Sequence, residues 1–304
     1  MRINWLNIAD YSQDIDLAEV HISEALYNGQ LALLLGAGVS ADFGLPKWWK
    51  LIHNLIIGLD SLDTRLEKIA ATLSENRSFD DLKLAASLAK EKCASEADFI
   101  GRVKSALYKD HSDRGRYSPS ALQFAIGALI MGSRRGNVRD VWTLNYDDLI
   151  EWYLSINGFV AQTISEVPCL IGGADVNVFH PHGFLPLDPN LTSSLSIVLD
   201  KTSYAERALG KDQPWRDAFQ AAITSKVFLC VGLSWTDKLV NDILLNAAKA
   251  NKGRPSAFWC FHEKQPSSII EDCHLARVAA LQFDGHREYP EFILKVCRRA
   301  ATMI

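Results

Sequence analysis

Apolar positions at Ile15, Leu17, Ala18, Val20, Ile22, Ala25 and Leu26 recur at helical spacing, and Asn28-Gly29 supplies a stop. The next five residues, Leu31–Leu35, are continuously apolar. The pattern therefore predicts a helix, a turn and a buried strand. From Pro46 the spacing of Trp48, Trp49, Leu51, Ile52, Leu55 and Ile56 is helical again, with Pro46 placed where a helix can begin. Residues 59–134 carry almost no β signal, and their spacing predicts helices over 62–73, 79–93, 97–108 and 121–130, the last following Ser118-Pro119. This stretch reads as an all-helical insertion ending in a helix that returns to the main body. Beyond it, strands are expected at 138–144, 176–179, 195–199, 226–233 and 257–261, with helices at 147–154, 236–250 and 290–301.

Short apolar strands alternating with helices are the pattern of a parallel sheet covered on both faces. The expected class is α/β: a Rossmann-like parallel sheet with helices on both faces, its core spanning about 1–58 and 135–304 around an insertion at about 59–134, all in one domain of 304 residues. Loops at 168–175 and 186–194 are the longest irregular pieces expected. In such sheets ligands sit beyond the carboxyl ends of the strands.

Composition narrows the function classes. With 48% hydrophobic and 22% charged residues the chain is of globular type, and 32 basic against 36 acidic side chains give a net charge of -4, so no bulk basic field points to nucleic acid. The longest apolar runs fall far short of the roughly 20 residues that cross a bilayer. The chain starts with Arg2, Asn4 and Asp10 rather than an apolar signal core, so a cytoplasmic protein without an export signal is expected. Six scattered cysteines, with no C-x-x-C pair, fit buried reduced thiols.

Four polar turns at strand ends carry the candidate chemistry. Gly36-Ala37-Gly38-Val39-Ser40 follows the first strand, and Gly44 and Pro46 follow it. The glycines let a backbone approach a diphosphate, Ser40 adds a hydroxyl donor, and a helix start favours an anion; a plain strand-to-helix turn explains the same residues. The spacing departs from the G-x-G-x-x-G of dehydrogenases, and no acidic ribose partner lies at 52–59, which weakens an oxidoreductase reading. Asn145 and Asp147, in Thr143-Leu144-Asn145-Tyr146-Asp147, suit a ribose or an attacking water, and equally a helix cap. In His180-Pro181-His182-Gly183 an imidazole is positioned for general-base work, with His180 read as structural. No Cys or carboxylate cluster completes a metal shell around this pair, so no metal is expected. Gly232-Leu233-Ser234-Trp235-Thr236-Asp237 is a second glycine-and-hydroxyl turn; its plainer reading has Thr236 capping a helix and Asp237 complementing the helix dipole.

Taken in order, GAGVS, GLP, TLNYD, HPHG and VGLS resemble the SIR2 family. The resemblance runs from about Leu31 to Asp237. It implies a Rossmann-like NAD-binding domain with a smaller helical module, and cleavage of the nicotinamide-ribose bond with Asn145 and His182 as catalytic pair. Gly36, Ala37, Gly38 and Ser40 would lie at the diphosphate, with Pro46 and Asp147 also in the binding set and Gly232 and Ser234 at the adenosine side. Two features depart from the zinc-ribbon deacylases: no cysteine lies between Gly183 and Phe228, and Lys47-Trp48-Trp49 follows Pro46 where those enzymes have an Asp-Phe-Arg type sequence. Pro46-x-Trp48-x-x-Leu51, Asn-Tyr-Asp and Gly-Leu-Ser-Trp-Thr-Asp look like the zinc-free SIR2-like proteins of bacterial antiphage defence. That branch implies an NAD+ glycohydrolase that needs no cofactor beyond NAD+ as substrate. Its control is expected from a homo-oligomer or a regulatory partner protein. An NAD-dependent deacylase and a non-catalytic NAD or ADP-ribose sensor are the alternatives. Trp48 and Trp49 are candidate walls of the nicotinamide pocket, or core.

Overall fold

Alternate residues of the first strand enter different cores, which is what a strand covered on both faces requires. Leu31, Leu33 and Leu35 join one apolar cluster, and Ala32 and Leu34 join another. The computed structural model describes residues 5–74, 77–111, 119–132, 137–209, 213–251, 253–285 and 287–303. Residues 1–4, with Arg2 and Asn4, and Ser118 of the Ser-Pro pair lie outside the described residues.

In chain order the elements are α1 (Ile8–Gln13), α2 (Ile15–Tyr27), β1 (Leu31–Leu35), α3 (Ala37–Ala41), α4 (Trp48–Ile57), α5 (Thr64–Thr72), α6 (Phe79–Lys90), α7 (Glu96–Leu107) and α8 (Ala121–Ile130). There follow β2 (Asp140–Thr143), α9 (Leu149–Ile156), β3 (Ala161–Ile164), β4 (Val176–Phe179), α10 (Lys201–Leu209), α11 (Gln213–Ser225) and β5 (Val227–Val231). The chain closes with α12 (Lys238–Ala250), β6 (Ala257–Phe261), α13 (Ser267–Leu275), β7 (Val278–Gln282) and α14 (Glu288–Ala301).

The strands form one seven-stranded sheet in the order β3-β4-β2-β1-β5-β6-β7, every neighbouring pair parallel. Side chains from α2, α8 and α14 cover one face, and α11 and α12 cover the other. This is the Rossmann-like α/β class expected. The order reverses between β1 and β5, because the chain builds outward from β1 on one side and returns to start at β5 on the other. A crevice opens at such a switch point. A third core joins α4–α7 to Tyr146, Leu149, Leu185, Ile197 and Leu199, so these helices stand over the carboxyl ends of the strands. Among the described residues, no helix is long and apolar enough to cross a membrane.

Several local expectations change. Residues 195–199 form no strand. Ile197 and Leu199 anchor in the third core while Leu195 is exposed, and the Val198 amide donates to the His182 carbonyl as an isolated strut. Strands β3 and β7 and helices α10, α11 and α13 were not anticipated. β3 is a polar edge strand, and β7 carries two alanines that have no period of their own. Helix α4 starts at Trp48 behind an N-cap at Lys47, so Pro46 lies just outside it. Of the thiols, Cys230, Cys260, Cys273 and Cys297 are buried, but Cys169 is exposed and Cys93 half-buried.

Lys90 of α6 ties the helical module to the loop that enters α10. Its ammonium lies 3.1 Å from Oδ2 of the buried Asp200 and 2.8 Å from Glu96 Oε2. Burial pushes the Asp200 carboxyl up, but hydrogen bonds from Ser203 and the Lys90 charge outweigh it and hold the group below its ordinary range. A carboxyl depressed in this way contributes stability above its unfolded value, and that stability is lost as pH falls. Lys90→Met is therefore expected to cost about 1–3 kcal/mol in urea unfolding at pH 7. The deficit should shrink as pH falls below about 4, where this carboxyl protonates in the unfolded chain before it does in the folded wild type.

Candidate active site

The turns after β1 and β5 meet without room for side chains between them. A Cβ on Gly36 would lie 2.5 Å from the Gly232 carbonyl oxygen, and one on Gly38 would lie 2.8 Å from the Gly232 Cα. Gly232 itself sits at φ +71°, where L side chains are strained. The amides of Gly36 and Gly38 donate to the carbonyls of Val231 and Gly232, and that of Val39 to Gly36. The Gly36 and Gly38 N–H groups are thus spent in closing one turn on the other, and that of Val39 within its own turn, instead of facing an anion. Gly38 packs against Gly232 and does not line the crevice.

Beside the paired turns lies a hollow of about 790 Å³ including the open solvent at its mouth. Gly36, Ala37, Ser40 and Pro46 reach it from the first turn, and Asn145 and Asp147 from the turn after β2. His182 enters from beyond β4, and Gly232 and Ser234 from the turn after β5. The four polar turns therefore converge. The helical module supplies an apolar wall that includes Trp48, Leu51 and Phe79. Trp48 packs on Phe79 at 4.4 Å, whereas Trp49 is not in the wall and carries the Lys50 ammonium over its ring.

Asn145 is held at both ends. Its Nδ2 donates to the Gly36 carbonyl at 3.0 Å and to Ser40 Oγ at 2.8 Å. A carbonyl can only accept, so this contact fixes which end of the amide is nitrogen and leaves Oδ1 as its acceptor face. The Asn145 carbonyl meets Nδ1 of His180 at 3.1 Å, and Nε2 of the same ring meets Glu151 Oε1 at 2.8 Å. Both nitrogens face acceptors, as a doubly protonated ring requires. Burial pulls the His180 pKa down, but the Glu151 carboxylate and the two hydrogen bonds outweigh it and raise it. His180 thereby ties the backbone at Asn145 to Glu151.

Ser40 completes the network: its hydroxyl donates to Asp147 Oδ2 at 2.7 Å while accepting from Asn145. The hydroxyl proton anticipated for a phosphate is directed at a carboxylate. Asp147 Oδ1 accepts from the Leu149 amide at the start of α9, so Asp147 supports that helix end and Asn145 does not cap it. Burial raises the Asp147 carboxyl to about 6, against the opposing hydrogen bonds from Ser40 and Leu149. At the fourth turn the cap of α12 is Asp237, whose Oδ1 accepts from Leu239 and Val240, and not Thr236, whose hydroxyl pairs with Ser234 Oγ at 2.7 Å.

Tyr204 and Asp237 also line the hollow, and neither was singled out as a site residue from sequence. Tyr204 lies on α10, a polar helix with little apolar periodicity. Its one local sign is Asp200, which accepts from the amides of Thr202 and Ser203 as an N-cap does.

Residues 139–279 match the family model of the SIR2-like domain. It is 26% identical over 249 residues to the NAD(+) hydrolase ThsA of Bacillus cereus (strain MSX-D12), an alignment taking in 79% of this chain. The chain spans 45% of that relative's length. A solved structure described under the mechanism and regulation of Sir2 enzymes aligns at 16% identity and a TM-score of 0.45, covering 94% of this chain and 98% of the other.

The raised Asp147 carboxyl has a measurable consequence. The folded chain binds this proton more tightly than the unfolded chain, so the stability it gives is complete below about pH 4 and gone above about pH 6. Asp147→Asn removes the titration. Unfolding free energies of variant minus wild type should rise across that window by on the order of 3 kcal/mol and then level off.

Proposed function

We propose that this SIR2-like chain is an NAD+ hydrolase that releases nicotinamide and ADP-ribose. The observation that carries the proposal is the convergence of Asn145 and His182 on one hollow at the switch point of the sheet. The likeness to ThsA, an NAD(+) hydrolase by name, supports the same chemistry.

Nicotinamide in NAD+ is a cationic leaving group. When the bond from its ring nitrogen to the ribose carbon breaks, the electron pair stays with nicotinamide and the sugar becomes oxocarbenium-like. A preorganised polar site stabilises that charge. Asn145 Oδ1 accepts from a ribose hydroxyl or from the attacking water, and the amide is already locked by Gly36 and Ser40, so it need not reorganise. Water adds its oxygen to the ribose carbon, and His182 takes the proton released, as general base. Gly36, Ala37, Ser40 and Pro46 line the diphosphate side, with Gly232 and Ser234 toward the adenosine. Asp147 acts through Ser40 on the Asn145 amide. NAD+ is the substrate, and no metal or further cofactor takes part in these steps.

In this proposal the hydrolase depletes the cytoplasmic NAD+ pool in antiphage defence, restrained by a partner protein or by assembly with copies of itself. The exposed surface of α5–α7 is the candidate contact for that control.

Asn145→Ala and His182→Ala should each lower nicotinamide release from NAD+ by about 10²- to 10⁴-fold while remaining folded. The assay is chromatography of nicotinamide and ADP-ribose, with an acyl-lysine peptide added in parallel. Turnover retained in both variants, or turnover only with the peptide, overturns the proposal.

A further inference from the structure

Asp237 is more than a helix cap. Its Oδ1 is fixed by the amides of Leu239 and Val240 at 3.0 and 3.3 Å, which prevents the carboxylate from turning, and its Oδ2 is aimed at His182 Nε2, 3.8 Å away. The Tyr204 ring meets the His182 ring edge-on at 5.5 Å. All three side chains are buried. A surface aspartate would cap α12 equally well; this one is placed inside the hollow.

We infer that Asp237 is the positioning carboxylate of His182, stabilising the imidazolium that forms when His182 takes a proton. A separation of 3.8 Å is ion-pair distance and exceeds a direct hydrogen bond, so the contact favours the protonated ring over the neutral one. The inference rests on His182 being the base of the proposed hydrolysis. The other titratable and charged groups lining the two hollows that meet at His182 are Tyr146, Asp147 and Tyr204 on one side and Arg216 on the other. Asp147 is engaged by Ser40 and the Leu149 amide, which leaves Asp237 as the carboxylate shown in contact with the ring.

The test uses the full chain labelled with [13Cε1]histidine, in which the resonance missing from His182→Gln identifies His182. Asp237→Asn keeps a good N-cap and removes the charge. The His182 pKa in D237N should fall by about 1–3 pH units, and the acidic limb of kcat for nicotinamide release should move down with it. Plateau kcat should fall about 10- to 100-fold with KM unchanged. Asp237→Ala, which removes cap and charge together, should melt lower, whereas D237N should melt as wild type. An unshifted His182 titration in a folded D237N chain overturns the inference. The titration is read without substrate, so absence of turnover in the wild-type chain defeats the NAD+ reading and still leaves the Asp237–His182 pair decided.

Discussion

Two backbone turns share the space that side chains would otherwise fill. Gly36 and Gly38 after β1 lie against Gly232 after β5, close enough that a methyl group at any of the three positions meets backbone atoms at 2.5–2.8 Å. Because β1 and β5 are adjacent parallel strands on either side of the order reversal, this contact sets how their outgoing loops diverge. The hollow exists where they part. Its size and the polar groups on its rim follow from that close approach, and a residue larger than glycine there would separate the turns or strain Gly232 beyond φ +71°.

From this contact the network propagates outward by hydrogen bonds. The Gly36 carbonyl fixes the Asn145 amide, Ser40 joins that amide to Asp147, and His180 holds the Asn145 backbone from the other side through an ion pair with Glu151. Each link is buried or half-buried, where an unsatisfied polar group is costly, so the arrangement favours one rigid geometry. The helical module closes the site with apolar side chains and is itself anchored through Lys90 and Asp200. A polar floor beside an apolar wall is the usual make-up of a small-molecule site.

Much of the fold was legible because fully covered strands read as unbroken apolar runs: β1, β5 and β6 are buried at every position. β3 was not, because an edge strand of composition AQTI is only half covered. The 195–199 segment misled because Ile197 and Leu199 are buried against helices and not in a ladder, while Leu195 is exposed. At the site, the turn residues could be named from composition and order, but their internal bonding could not. Sequence suggested that Ser40 offers a proton to a ligand, whereas tertiary packing brings Asp147 to it. Asp237 was visible as a polar residue at a helix start; its aim at His182 depends on where β4 and β5 lie in the sheet.

In the proposed reaction one hollow receives the whole dinucleotide with its pyridinium ribose between Asn145 and His182. A crystal structure of the Asn145→Ala chain soaked with NAD+ tests this most directly. The nicotinamide ribose carbon is expected beside His182, with about 3–3.5 Å between reacting atoms once water is in place, and the diphosphate along Gly36 and Ala37. A dinucleotide bound elsewhere, or reversed so that adenosine occupies the His182 end, would contradict it.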